Sequence, residues 1–279
     1  MERTTDYGLR NVNSTNLLRS APDLPDHEVQ RLLVAATGRH WTSLILGTEL
    51  DAEEVDRFQS YVERRRSEEP LQYIEGTVPF GPIEVSVDPR VLIPRPETEQ
   101  LFEIARDVVD APKVIVDLCT GSGNLAIALK ASFPAATVYG VDLSEDAVDV
   151  ARANAGVAGL DVTILHGDLF DPLPHNLVGR VDLVVSNPPY IAEHELNDLP
   201  IDVRDHEPVS ALIAGPVGDE VLARIAAAAP EWLIPGGVIA CEISEFHGAI
   251  VADHFSAFDG EIRIDLSGKE RFVIGVAPQ

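Results

Sequence analysis

The sequence predicts an α/β protein with a doubly wound, mostly parallel sheet, a C-terminal antiparallel hairpin and a small helical domain in front. Three observations carry this. From Lys113 onward, short apolar runs alternate with helical patterns, the mark of a parallel sheet. The last two runs are joined through Ser267-Gly268-Lys269, as a hairpin requires. Between Pro25 and Arg66 the apolar residues instead recur at helical spacing.

Residues 1–20 are polar, lack periodicity and read as a flexible extension. Residues 21–69 form the helical domain: Val29, Leu32, Leu33 and Ala36 share one face, as do Val55, Phe58 and Val62. Asp51, followed three residues later by Glu54, reads as an N-cap. Residues 70–96 form a linker with a β-hairpin, since Thr77 to Val87 alternates around Gly81-Pro82. Pro94 and Pro96 stop any strand, and Pro96 to Thr98 can open the next helix. Residues 97–279 hold the main domain. Its strands are expected at Val114–Asp117, Thr137–Val141, Val162–Leu165, Val181–Ser186, Val238–Ile243, Arg263–Leu266 and Arg271–Val276. Helices are expected at Leu125–Phe133, Glu145–Ala155 and Glu220–Trp232.

Charge narrows the partners. The 279 residues carry a formal net charge of −25, and lysine is confined to Lys113, Lys130 and Lys269. Such a surface repels nucleic-acid phosphates, so no direct nucleic-acid partner is expected. The dense basic cluster Arg64-Arg65-Arg66 ends a predicted helix, where cations suit the macrodipole. No apolar run approaches a membrane span, and the N-terminus lacks a signal-peptide core, so a cytoplasmic protein with no membrane partner is expected. Cys119 and Cys241 lie beside or within apolar runs and read as free thiols, neither has metal-ligand spacing, and no metal is expected.

The chemistry gathers at the ends of the predicted strands, where open α/β sheets keep their ligand crevice. Asn187-Pro188-Pro189-Tyr190 follows the fourth strand. Two prolines fix the backbone and remove their N–H groups. The Asn187 Oδ1 and the Pro188 carbonyl can then accept both hydrogens of a planar NH2 group, with Tyr190 as an aromatic face. An isolated Asn-Pro-Pro is equally a strand-ending turn, so its neighbours decide. Asp117-Leu118-Cys119-Thr120-Gly121-Ser122-Gly123-Asn124 joins the first strand to its helix with glycines that let a ligand approach the backbone. A dinucleotide oxidoreductase could use a similar loop, but Asp117 would repel a pyrophosphate and the three-glycine fingerprint is incomplete. Asp142 ends the second strand at the spacing of a ribose-binding carboxylate. Asp168, after the third, can accept from an adenine amine while Leu169 or Phe170 packs on the ring. Adenosine with a cationic, phosphate-free tail describes S-adenosylmethionine.

On these motifs the chain resembles the class I S-adenosylmethionine methyltransferases, with their Rossmann-like sheet. It is most similar to the bacterial enzymes that methylate the glutamine of the Gly-Gly-Gln motif in peptide chain release factors. The resemblance runs from about Pro25 to Gly275 through Pro70-Leu71-Gln72-Tyr73, Ile93-Pro94-Arg95-Pro96-Glu97-Thr98-Glu99, the Asp117–Gly123 loop, Asp142 and Asn187–Tyr190. It continues in Asp202-Val203-Arg204, Glu207-Pro208, Pro235-Gly236-Gly237, Asp265, Gly268 and Arg271. It implies that Asp117, Cys119, Thr120, Gly121, Ser122 and Gly123 hold the methionine part of the cofactor. Asp142 would hold the ribose, and Asp168 with Leu169 the adenine. Asn187, which also borders the cofactor, would hold the glutamine amide with Pro188, Pro189 and Tyr190, of which Asn187, Pro188 and Tyr190 would be catalytic. The helical domain would recognise the release factor, and the enzyme would act as a monomer and leave S-adenosylhomocysteine as product.

The family loop often has Gly in place of Cys119, and the related enzymes acting on a large-subunit ribosomal protein often carry Cys. Those usually read Pro-Arg-Ser, against Pro94-Arg95-Pro96-Glu97 here, which favours release factors. The remaining alternative, a nucleic-acid amine methyltransferase, calls for a basic groove at odds with the charge. An amide nitrogen is a poor nucleophile because resonance shares its lone pair. Holding both its N–H bonds orients it, and the N-methylated product can lose its proton to water. His166, His194 and His206 therefore read as solvated loop residues rather than bases.

Overall fold

A computed structural model describes residues 12–279. The chain divides into two compact units, the first ending at Gly76 and the second spanning Thr77–Gln279. No described helix is long and apolar enough to cross a membrane.

The first unit is built on helices α1 (Asp26–Thr37) and α2 (Ala52–Arg66), with shorter helical turns at Ser14–Leu17, Trp41–Ile45 and Leu71–Glu75. Their apolar faces meet in a core of Leu32, Leu33, Leu44, Leu50 and Phe58. Asp51 caps α2: its Oδ1 accepts from the Glu54 N–H at 2.9 Å, and its own N–H donates to Glu54 Oε2 at 2.9 Å. Glu54 also receives two hydrogen bonds from Arg39, at 2.6 and 3.0 Å. The basic trio at the other end of α2 is consumed by carboxylates. Arg64 pairs with Glu69, Arg65 with Glu28 and Arg66 with Asp23.

Of the expected N-terminal extension, residues 1–11 lie outside the described residues. Val12–Asn13 pair antiparallel with Glu49–Leu50, and Leu17 enters the core. The buried Ser14 hydroxyl donates to the Leu44 carbonyl at 2.6 Å. A two-residue strand and a four-residue turn are too short to show a period, so their order comes from distant partners.

In the second unit a hairpin, Thr77–Phe80 with Ile83–Ser86, precedes helix α3 (Pro96–Asp107), which starts on a proline. Strands β1 (Val114–Leu118), β2 (Thr137–Asp142), β3 (Val162–His166) and β4 (Val181–Ser186) follow. Then come β5 (Leu233–Glu242), β6 (Asp259–Ile264) and β7 (Glu270–Val276). The sheet order is β6-β7-β5-β4-β1-β2-β3, with β3, β2, β1, β4 and β5 mutually parallel and β7 antiparallel to both neighbours. Helices α4 (Asn124–Ser132), α5 (Glu145–Ala158), α6 (Glu220–Trp232) and α7 (Gly248–His254) complete the unit.

Side-chain alternation assigns the two sheet faces. Val116, Leu118, Val184 and Ile239 pack with Trp232 and Phe255 on one side. Ile115, Leu183, Val185 and Ala240 pack with Phe102 and Leu129 on the other. Strand β5 begins five residues earlier than its apolar run, because a register shift between Leu233 and Val238 absorbs Pro235-Gly236-Gly237.

Replacing Asp51 with Ala removes the α2 cap and should destabilise the first unit by about 1 kcal/mol. Urea denaturation followed by circular dichroism measures this, and an unchanged midpoint would show that the capping box contributes nothing.

Candidate active site

The strand order reverses between β1 and its neighbours β4 and β2, and the C-terminal ends of these strands open onto a cavity of about 590 Å³. That is the crevice position expected of an open α/β sheet, and the volume suits a small-molecule ligand. Cys119, Thr120, Gly121 and Ser122 form its floor, and Asp142, Asp168 and Leu169 line one side. Asn187 and Pro189 border the other, facing a wall made by Pro94 and Thr98 and by Pro208 to Ala214.

The floor is a tight left-handed loop. Gly121 and Gly123 have φ of 54° and 81°, and Cys119, without a glycine's freedom, has φ 57°. Beneath it lies Asp117, fully buried. Its Oδ2 accepts from the Thr120 hydroxyl at 2.5 Å and from the Ala126 N–H at 3.1 Å, while its Oδ1 has no partner. Burial pushes this carboxyl up to about 7. Asp142 accepts from the Gly121 N–H at 2.8 Å and the Ser144 N–H at 2.9 Å, so the ribose candidate also pins the loop. Burial raises its pKa as well.

The fourth-strand turn is held from behind. Asn187 Nδ2 donates to Thr98 Oγ1 at 3.0 Å, and the Thr98 hydroxyl donates to Glu242 Oε2 at 2.8 Å. Glu242 Oε1 accepts from the Tyr190 hydroxyl at 3.2 Å. Pro188 is buried, and neither it nor Tyr190 is in the cavity wall. Arg95 donates twice to the buried Glu207, at 2.6 and 2.8 Å, joining the Ile93–Glu99 run to the segment that follows the turn.

Two side chains expected at the adenine end have partners that the sequence did not disclose. Asp168 does line the cavity, but its carboxylate is paired with Arg224 of α6 at 2.7 Å. Phe170, offered with Leu169 as a ring-packing residue, is instead buried in the core and stacks on Trp232 with centroids 5.5 Å apart. Leu169 alone remains at the cavity, held by a φ of 50°. Gly123 serves as the N-cap of α4 and is not in the wall. His166 sits outside the wall, its Nε2 3.0 Å from the Leu143 carbonyl. Cys119 and Cys241 are both free thiols.

Residues 100–201 match the family model described as methyltransferase small domain, and residues 13–76 match the PrmC N-terminal domain. A release factor glutamine methyltransferase of Deinococcus radiodurans is 36% identical over 267 residues, covering 93% of this chain and 94% of that protein. The chain belongs to the release factor glutamine methyltransferase family. The Gloeobacter violaceus member is 40% identical, covering 91% and 92% of the two chains, and the Mycolicibacterium smegmatis member 44% identical over 80% of each. A Pyrococcus furiosus methyltransferase crystal structure shares the fold with a TM-score of 0.54 at 16% identity, covering 71% of this chain and 90% of that one.

Membership of this family makes the chain an S-adenosylmethionine-dependent methyltransferase, and its residues fit that cofactor. An orphaned buried carboxylate oxygen lies under the loop, where a ligand's ammonium group would compensate it. Asp117 itself is not in the cavity wall, but a second carboxylate, Asp142, is, and the glycine loop between them admits close approach. Thr98, Arg95, Glu207, Arg224 and Glu242 had no role assigned from sequence. Glu242 did leave a signal, as the sole carboxylate within the apolar run Val238–Ile243.

A cation bound above the loop favours ionised Asp117, so binding should release protons where that group is neutral beforehand. With its pKa raised to about 7, this means that affinity grows as pH rises through about 7 and then levels. Calorimetry of S-adenosylmethionine in buffers of different ionisation enthalpy, at roughly pH 6 and roughly pH 8.5, reads the release directly. It should be present only at the lower pH and diminish in Asp117→Asn; equal release in that variant would remove Asp117 from the account.

Proposed function

We propose that the chain transfers a methyl group from S-adenosylmethionine to the side-chain amide nitrogen of the glutamine in the Gly-Gly-Gln motif of peptide chain release factors. The observation that carries this is the orientation of Asn187. Its Nδ2 is engaged by Thr98, so its Oδ1 is the amide atom left to accept from a substrate. An acceptor residue bordering a cofactor-sized cavity is what a planar NH2 group needs.

The cofactor supplies an electrophilic methyl group. Asp117 and the loop from Cys119 to Gly123 would hold its methionine part, Asp142 its ribose, and Leu169 its adenine, with Asp168 at the same edge. Asn187 Oδ1 and the Pro188 carbonyl would accept the two amide hydrogens, turning the nitrogen lone pair toward the methyl. Orientation of this kind can supply about 7–11 kcal/mol, and fixed dipoles aimed at developing charge add to it. Pro189 closes the cavity side of the turn. Tyr190 contributes from behind through Glu242, and an apolar contact between its ring and the amide belongs to the same reading.

The relatives named for release factors favour this substrate, and the net charge of −25 disfavours a nucleic acid. The enzyme would work as a monomer in the cytoplasm, with the helical unit recognising the release factor.

Asn187→Ala should abolish turnover while leaving cofactor affinity within a few-fold of wild type. Labelled cofactor with recombinant release factor, followed by peptide mass spectrometry, tests both the substrate and the clamp. Retained transfer in the variant would remove Asn187 from the chemistry, and label on a large-subunit ribosomal protein alone would reassign the substrate. Removing residues 1–76 should raise KM for intact release factor, and an unchanged KM would deny the helical unit a part in recognition.

A further inference from the structure

Asn187 can present either of two faces to a substrate, because its amide is a donor on one side and an acceptor on the other. Only the acceptor face suits an incoming NH2 group. Something must therefore choose the face, and the choice is visible behind the turn.

We propose that Thr98 and Glu242 are positioning residues that fix the acceptor face of Asn187 toward the substrate. This rests on the glutamine-clamp reading above. A threonine hydroxyl has one hydrogen to give. Glu242, when ionised, can only accept, and it takes that hydrogen at its Oε2, 2.8 Å away. Thr98 Oγ1 is then left with lone pairs alone, so it can meet Asn187 only through the Nδ2 donor, as it does at 3.0 Å. Oδ1 is thereby turned to the other side. The second oxygen of Glu242 is held by the Tyr190 hydroxyl, so rotation of the carboxylate is opposed as well.

The relay joins three parts of the chain: α3 through Thr98, the end of β5 through Glu242, and the turn after β4 through Asn187 and Tyr190. Thr98 and Glu242 are 2% and 1% exposed, so water does not offer the hydroxyl another partner. The charged groups around Glu242 are Arg271 of β7, which favours its ionised form, and Glu97 of α3, which opposes it.

Protonation of Glu242 reverses the polarity. A protonated carboxyl can donate to Thr98, and Thr98 is then free to donate to Asn187 Oδ1. The amide can turn over and meet the substrate NH2 donor to donor. Burial places Glu242 at about 7, so the loss falls as pH drops through that value.

The test compares Thr98→Val, Thr98→Ser, Glu242→Gln and Asn187→Ala in the full chain, with melting temperature and cofactor Kd measured for each. Thr98→Val should lower kcat on the order of 100-fold, the cost of a misplaced reacting group, with release-factor KM and cofactor Kd within a few-fold of wild type. Thr98→Ser, which keeps the hydroxyl, should restore most of that loss. In wild type kcat should fall as pH drops through about 7, whereas Glu242→Gln should be slow and lose that limb. Wild-type turnover by folded Thr98→Val, or an unchanged acid limb in Glu242→Gln, overturns the positioning role. Where a variant does not fold, the wild-type profile decides alone: a kcat that stays level below that pH overturns the proposal. Activity in Asn187→Ala would instead defeat the clamp itself, so the two failures are distinguishable.

Discussion

Carboxylates held away from water organise this crevice. Asp117, Glu207 and Glu242 are each buried around one cavity, and each fixes a different part of its wall. Asp117 gathers the glycine loop through Thr120 and Ala126. Glu242 gathers the turn after β4 through Thr98 and Tyr190. Glu207 draws in the Ile93–Glu99 run through Arg95. Burial raises all three to about 7. In linkage terms, the folded chain then holds these protons more tightly than the unfolded one. The stabilisation is complete below the unfolded carboxyl range and is lost as pH rises through about 7. Keeping them ionised therefore costs stability, a cost that the acceptor role proposed for Glu242 would require.

The contrast with Asp265 makes the point sharper. That carboxylate accepts from the Ser267 hydroxyl and N–H and from the Lys269 N–H, with Arg271 beside it, and these lower it to about 2. It is a saturated structural anchor for the β6–β7 turn. Asp117 has the opposite character, with one oxygen satisfied and the other open. Incomplete satisfaction of a buried group calls for an explanation, and the ammonium group of the cofactor would supply one.

Much of this was legible in the sequence because it is local. The alternation of apolar runs and helical patterns needs only neighbouring residues, and so does the Asp51 and Glu54 capping box. The placement of Asp117, Asp142 and Asp168 at successive strand ends follows from the strands themselves. What the sequence did not disclose is set by distant partners. Asp168 is met by Arg224 from fifty-six positions away, and Thr98 reaches Glu242 across 144. Phe170 next to Leu169 gave two candidates for one ring contact, and only the presence of Trp232 on α6 decides which is core. Val12–Leu17 likewise acquires its order from Leu50 and Leu44, not from a pattern of its own.

In the proposed clamp, the Asn187–Tyr190 turn would read only a planar NH2 group, a feature that adenine and a glutamine amide share. On that reading, discrimination between them would reside in the surfaces that decide which molecule arrives. Those surfaces are the Pro94 to Thr98 wall and the Pro208 to Ala214 segment, locked together by Arg95 and Glu207. Arg95 is already committed to a buried carboxylate, and the arginines that line the cavity, Arg90 and Arg224, are paired with Asp88 and Asp168. The cations Arg64, Arg65 and Arg66 are likewise bound to carboxylates within the helical unit. A phosphate backbone would have to displace carboxylates from these cations before gaining any of them. A side chain on a protein loop would need no such exchange, which favours the protein substrate proposed above over a nucleic acid.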